Sequence, residues 1–141
     1  MEREGKIRAA NSLGFNLVKT KILLIDDEPD ITRILKLGLE KRGFEVETYG
    51  EPVLALSSFK PNSFDVAIFD FRLPKMSGFE LFQEFKKLDN RAMVCFLTAY
   101  DVEADEDGKL LLADHRVKGF LKKPIEISEL VRKIRHILEN Q

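Results

Sequence analysis

Apolar residues follow two alternating patterns along this chain. Short strand-like runs, most of them near-continuous apolar stretches, occur at residues 21–25, 44–49, 66–69, 93–97 and 119–121. Each run is followed by a helix-like segment with apolar residues on one side, within residues 31–39, 53–59, 79–85, 110–113 and 127–138. Strands that alternate with helices in this way indicate an α/β fold, a doubly wound parallel sheet with helices on both faces.

Residues 1–19 differ from the rest of the chain. They begin with a polar, charged stretch and carry only scattered apolar residues. We expect an N-terminal extension that is partly flexible, followed by one folded domain over residues 20–141.

The composition is typical of a soluble globular protein. Hydrophobic residues make up 44% and charged residues 33% of the chain, and the formal net charge is -1. This balance does not favour nucleic acid or an anionic membrane as a partner. Cys95, the only cysteine, cannot form an internal disulfide. Because neither a membrane span nor a signal peptide is recognisable, we expect a cytoplasmic protein.

Polar residues with useful chemistry follow the predicted strands. Asp26 and Asp27 come after the first strand, Asp70 after the third, Thr98 after the fourth and Lys123 after the fifth. In doubly wound folds, functional groups gather at the carboxyl ends of the strands. We therefore expect these side chains to meet at one edge of the sheet.

Three carboxylates brought together repel one another unless a cation lies between them. Mg²⁺ suits such a site because it prefers oxygen ligands and is commonly held by one or two carboxylates plus phosphate oxygens. One carboxylate could then act as a nucleophile and form an acyl phosphate. Lys123 would supply a positive charge to a phosphoryl oxygen, and Thr98 a hydrogen bond.

Four stretches of the chain resemble the receiver domains of two-component response regulators: residues 22–29, 70–78, 97–99 and 123–124. The resemblance extends over residues 20–141. It implies a flavodoxin-like sheet of five parallel strands in the order 2-1-3-4-5, with five helices.

The resemblance also implies roles for individual residues. Asp70 would be the phosphoacceptor, and Mg²⁺ would be held by Asp26, Asp27, Asp70 and the backbone carbonyl of Arg72. The matching lysine is Lys123, because it directly precedes Pro124, and the bond between the two is often cis in this family.

Further positions follow from the same resemblance. Thr98 and Phe120 would form a coupled switch, in which the hydroxyl moves toward the phosphoryl group and the ring turns inward. Arg72 and Tyr100 occupy positions that influence how long the phosphoryl group survives. They could shield it from water, although solvated side chains are an equally good interpretation.

The implied function is that of a stand-alone response regulator, not of an independent enzyme. It would take a phosphoryl group from a histidine kinase or phosphotransfer protein, assist its own phosphorylation and dephosphorylation, and switch a surface for an unidentified target protein. We expect neither nucleic acid nor membrane as partners. A homodimer could form through the face of the fourth helix, fifth strand and fifth helix, where residues 101–108 and 113–118 depart from the family's usual pattern.

Two other classes of protein fit the sequence less well. A phosphatase of the haloacid-dehalogenase kind needs two aspartates separated by one residue and a cap domain, whereas Asp26 and Asp27 are adjacent. A nucleotide-binding module needs a glycine fingerprint or a phosphate loop after the first strand, and neither is present.

Overall fold

A computed structural model of the chain describes residues 19–102 and 105–140. The expected N-terminal extension, apart from Lys19, lies outside the described residues. The described chain forms five strands and five helices: β1 (Lys21–Ile25), α1 (Pro29–Lys41), β2 (Glu45–Tyr49), α2 (Pro52–Ser58), β3 (Val66–Asp70), α3 (Gly78–Leu88), β4 (Met93–Thr98), α4 (Glu106–Leu112), β5 (Val117–Lys122) and α5 (Ile127–Glu139).

The strands form one parallel sheet in the order β2-β1-β3-β4-β5. This confirms the predicted fold class and strand order. The central strand β3 is buried at every position, as its apolar run predicts. No helix within the described ranges is long and apolar enough to cross a bilayer.

Each face of the sheet carries its own apolar core. Helices α1 and α5 cover one face with aliphatic side chains, among them Leu35, Leu39, Leu130 and Ile134. Helices α2, α3 and α4 cover the other face, where the core is rich in phenylalanine. Alternate residues of a strand point to opposite faces of the sheet, so each buried strand contributes residues in alternation to the two cores.

An ion pair is buried at the edge of the sheet opposite the candidate site. The Asp89 carboxylate is fully buried, and its Oδ1 lies 2.9 Å from Nη2 of Arg116, which is 8% exposed. The guanidinium also donates to the backbone carbonyls of Asp89 and Ala92, at distances between 2.6 and 3.0 Å. Arg116 therefore ties the start of β5 to the loop before β4, which gives the atypical segment 113–118 a structural role.

Candidate functional site

The carboxyl ends of four strands meet at one edge of the sheet, because β1, β3, β4 and β5 pair in parallel. Asp26 and Asp27 follow β1, Asp70 and Thr98 end β3 and β4, and Lys123 follows β5. The structure thus brings these sequence-predicted residues to the same edge, as the strand-end argument expects.

The three aspartates form a compact acidic cluster. Asp26, Asp27 and Asp70 each offer a carboxylate oxygen, and these oxygens lie within 4.8 Å of one another. Asp26 and Asp70 are buried, whereas Asp27 is half-buried. Backbone N–H groups hold two of the carboxylates: Glu28 donates to Asp26 Oδ1 at 2.9 Å, and Arg72 donates to Asp70 Oδ1 at 3.2 Å.

The ammonium group of Lys123 lies among three carboxylates. Its Nζ is 2.9 Å from Asp26 Oδ2, 3.1 Å from Asp70 Oδ2 and 2.7 Å from Glu28 Oε1. Burial alone would lower the pKa of Lys123, but the attraction of Glu28, Asp26 and Asp70 raises it above its ordinary value. Lys123 therefore stays positively charged at neutral pH.

The electrostatics of Asp70 are unfavourable for its charged form. Burial, and then the negative charge of Asp26, raise the pKa of Asp70 from 3.8 to about 6. The Arg72 N–H and the Lys123 ammonium act in the opposite direction and offset only part of this effect. The protein alone does not fully neutralise the cluster.

One oxygen in the cluster lacks a hydrogen bond. Asp26 Oδ2 is buried and has no hydrogen-bond partner among the described residues, although Lys123 Nζ lies 2.9 Å from it and pairs with it electrostatically. Such an atom usually has a partner in native proteins, an ion among them. A buried carboxylate oxygen beside two further carboxylates is a donor set that fits a hard divalent cation such as Mg²⁺.

The Thr98 hydroxyl is engaged by the backbone of Tyr100. It accepts a hydrogen bond from the Tyr100 N–H at 2.9 Å and lies 3.3 Å from the Tyr100 carbonyl oxygen. The Arg72 guanidinium lies over the Tyr100 ring, 4.7 Å from its centroid. The two residues named as modulators therefore contact each other across the β3–α3 and β4–α4 loops, while Tyr100 remains 53% exposed.

The Phe120 ring is half-buried and packs inward. It stacks on Phe96 with the ring centroids 5.5 Å apart and meets Phe71 edge-on at 5.9 Å. These contacts join β5 to the strand that ends in Thr98. Phe120 therefore packs against the phenylalanine-rich core at the boundary of the site.

The loop after Asp70 depends on a close backbone approach. The Gly78 N–H donates to the Phe71 carbonyl at 2.7 Å, and a Cβ atom at Gly78 would lie 2.8 Å from the Phe71 Cα. Only glycine fits such a contact without a shift of the backbone. On the far side of the site, the Lys123-Pro124 bond is cis.

Sequence reasoning missed two residues of this site. Glu28 contacts Lys123, and the Thr32 hydroxyl lies 3.2 Å from the Asp26 carbonyl oxygen and 3.0 Å from that of Glu28. Glu28 had a signal, because it continues the acidic pair Asp26 and Asp27. Thr32 had none, since a threonine in the first turn of a helix is common.

Comparison with known proteins agrees with this geometry. The family model of the response regulator receiver domain matches residues 22–135, and the chain belongs to that family. It is similar to the uncharacterized transcriptional regulatory protein YkoG of Bacillus subtilis, with 32% identity over 120 residues, which cover 85% of this chain and 51% of that protein. The transcriptional regulatory protein TrcR of Mycobacterium tuberculosis is 32% identical over 119 residues, or 84% of this chain and 45% of that protein.

Solved structures show the same fold. A response regulator receiver domain protein from Clostridium thermocellum has a TM-score of 0.74 and 33% identity, covering 85% of this chain and 94% of that chain. The response regulator TrrA from Thermotoga maritima, solved in complex with Mg²⁺ and BeF, has a TM-score of 0.70 and 29% identity, covering 84% of this chain and 98% of that chain.

The prediction that nucleic acid has no part was wrong. Several relatives are named transcriptional regulatory proteins, and this chain spans about half of their length. The near-neutral net charge of this chain carries no information on the half of those relatives that it does not match. The expectations of a stand-alone protein, a cytoplasmic location and a homodimer through α4, β5 and α5 stay predictions.

Proposed function

We propose that this chain is a phosphorylation-operated receiver whose Asp70 accepts a phosphoryl group from a phosphohistidine of a kinase or phosphotransfer protein. The observation that carries the proposal is the acidic cluster itself. Asp70 lies beside Asp26 and Asp27, and the Lys123 ammonium is 3.1 Å from its Oδ2. This transfer requires a nucleophilic carboxylate, a cation-binding site and a fixed positive charge.

The transfer is a simple displacement at phosphorus. A carboxylate oxygen of Asp70 attacks, the phosphorus–nitrogen bond of the phosphohistidine breaks, and the imidazole nitrogen takes the electron pair. The product is an acyl phosphate on Asp70. Water later attacks the phosphorus, which returns the free carboxylate and inorganic phosphate. The chain thereby assists its own phosphorylation and dephosphorylation without turning over a separate metabolite.

Asp26, Asp27, Asp70 and the backbone carbonyl of Arg72 would hold the Mg²⁺. When bound, the ion would neutralise the carboxylates and the charge of the incoming phosphoryl group. Lys123 contributes a second positive charge, because its three carboxylate neighbours keep its ammonium group protonated. Together, the ion and Lys123 would let a buried aspartate receive a dianionic group.

The output would be a shift between two arrangements of the site edge. To donate a hydrogen bond to a phosphoryl oxygen, the Thr98 hydroxyl would exchange the Tyr100 carbonyl for that oxygen, and it could still accept from the Tyr100 N–H. Movement of Thr98 would alter the end of β4, where Phe96 stacks on Phe120. We propose that phosphorylation favours the exchanged arrangement, with Thr98 and Phe120 moving together.

Intact-mass spectrometry of the native chain tests the proposal. Incubation with a small phosphodonor and Mg²⁺ is expected to add the mass of one phosphoryl group. The gain should disappear when EDTA replaces Mg²⁺, and hydroxylamine should remove it, because hydroxylamine cleaves acyl phosphates. Absence of any gain, or a gain that resists hydroxylamine, would contradict the proposal.

Arg72 and Tyr100 are proposed to protect the phosphoryl group together. Because their side chains contact each other, we expect Arg72→Ala or Tyr100→Ala to speed loss of the phosphoryl group. The expected factor is about two- to fivefold, which corresponds to the free energy of an exposed cation–π contact. The double variant should decay no faster than the faster single variant. Decay is followed by intact mass after removal of the donor.

Arg135→Ala, on the exposed face of α5, is the matched control and should leave the decay unchanged. Unchanged decay in both single variants at Arg72 and Tyr100 would dispose of this part of the proposal.

A further inference from the structure

Glu28 is the third carboxylate at Lys123, and it differs from the other two in position. Its Oε1 is 2.7 Å from Lys123 Nζ, the shortest of the three distances. Its side chain is 54% exposed, whereas the side chains of Asp26 and Asp70 are buried. Glu28 therefore holds the ammonium from the rim of the site, while the two aspartates hold it from inside.

The local backbone leaves the Glu28 side chain free for this contact. Glu28 is the N-cap residue of α1, yet its side chain accepts no capping hydrogen bond. Its backbone is anchored on both sides, since its N–H donates to Asp26 Oδ1 and its carbonyl accepts from Thr32. The main chain is thus fixed, and the carboxylate points to Lys123.

The contact bears on cation binding because Lys123 pairs with two carboxylates of the acidic cluster. Its ammonium lies within 3.1 Å of Asp26 Oδ2 and Asp70 Oδ2, and both residues belong to the group that could hold a divalent cation. Any group that draws the ammonium outward therefore lowers this competition. Within the described residues, Glu28 is the carboxylate placed to do so.

We propose that Glu28 is a positioning residue that draws Lys123 toward the rim and thereby eases binding of a divalent cation at Asp26 and Asp70. The proposal rests on the cation site of the proposed function. It assigns Glu28 an effect that passes through Lys123 and not through its own charge on the cation.

Binding of Mn²⁺ alone, followed by the electron paramagnetic resonance signal of the free ion, tests this inference without any phosphorylation. Mn²⁺ suits the same carboxylate ligands as Mg²⁺. We expect Glu28→Gln to weaken Mn²⁺ binding by about two- to fivefold, a factor that corresponds to the free energy of a partly exposed ion pair. In a Lys123→Met background, the same substitution should leave the affinity unchanged, because no ammonium remains to be drawn outward.

Two further variants serve as controls. Glu51→Gln changes the equivalent glutamate at the N-cap of α2, which also precedes a proline and makes no side-chain cap, so it should not alter Mn²⁺ affinity. Glu28→Asp keeps the charge and should restore part of the affinity. If Lys123→Met does not fold, as judged by thermal unfolding, Lys123→Gln takes its place.

The outcomes separate this inference from the proposed function. Equal weakening by Glu28→Gln in both backgrounds would mean that Glu28 acts on the cation directly. Unchanged or tighter binding in the native background would mean that Glu28 has no such role. Either result overturns this inference and leaves the proposed function standing. Failure of the native chain to bind Mn²⁺ would overturn the cation site as well, and it would be evident before any variant is compared.

Discussion

Arg116→Met is expected to lower the free energy of unfolding by about 3 to 5 kcal/mol, the usual cost of removing one partner of a buried ion pair. The substitution keeps an apolar stem of similar length but leaves the Asp89 carboxylate, which is fully buried, without its cationic partner. Of its partners in the described part of the chain, Asp89 would retain the backbone N–H donors of Asn62, Arg91 and Ala92. The carbonyls of Asp89 and Ala92 would lose the guanidinium at the same time.

Urea unfolding measures this loss, and the same substitution elsewhere supplies the control. Arg33→Met removes the partner of Asp30 in a pair whose side chains are both well exposed. An exposed pair contributes about 0.2 to 1 kcal/mol, so this variant should differ little from the native chain. Similar losses in the two variants would show that the Arg116 contact does not stabilise the fold as argued.

Asp26→Asn is expected to remove most of the stabilisation that Mg²⁺ gives the folded chain. A ligand at about 100 times its Kd stabilises a folded protein by about 2.7 kcal/mol, and the native chain should show a gain of this order. The variant lacks the buried carboxylate whose Oδ2 accepts no hydrogen bond from any residue that the structure describes, so it should gain little at the same Mg²⁺ concentration. Thermal or urea unfolding with and without Mg²⁺ measures the difference.

Asp30→Asn is the control for this variant, since Asp30 is an exposed aspartate in the first turn of α1. It should retain the full Mg²⁺ effect. A native-sized Mg²⁺ stabilisation in Asp26→Asn, or its absence in the native chain, would contradict the assignment of Asp26 to the cation.

The same variant should change the pH dependence of the metal-free chain. The folded pKa of Asp70, about 6, exceeds its ordinary value of 3.8, so the folded state binds this proton more tightly than the unfolded state does. The contribution of Asp70 to stability is therefore fully present below 3.8 and is lost as the pH rises through about 6. Because Asp26 raises the pKa of Asp70, Asp26→Asn should make this loss smaller in EDTA.

The fold and the location of the site could be predicted because both follow from burial. A parallel strand covered on both faces must be apolar, so β1, β3 and β4 are clear in the sequence. Their ends then indicate which polar residues share an edge. The edge strand β5 is less clear: residues 119–121 were predicted, whereas the strand runs over Val117–Lys122, because most of its residues are only half-buried.

Other features could not be predicted because they depend on contacts between distant segments. Arg116 lies in a polar segment that resembles a surface turn, and only the folded chain shows it buried against Asp89. Glu28 precedes a proline, which in the sequence indicates only the start of a helix. Its contact with Lys123, 95 residues away, is evident only in the folded chain. Helix α4 begins at Glu106, earlier than the apolar residues 110–113 suggest, because Asp105 caps it and Gly108 packs closely on Val102.

The most direct test of the central claim is to locate the phosphoryl group chemically. Borohydride reduces an aspartyl phosphate to homoserine, a stable mark that peptide mass mapping assigns to one position. After phosphorylation of the native chain in Mg²⁺, we expect this mark at position 70 and nowhere else. A mark at position 26 or 27, or a phosphoryl group found on Thr98, would contradict the assignment of Asp70 as the acceptor.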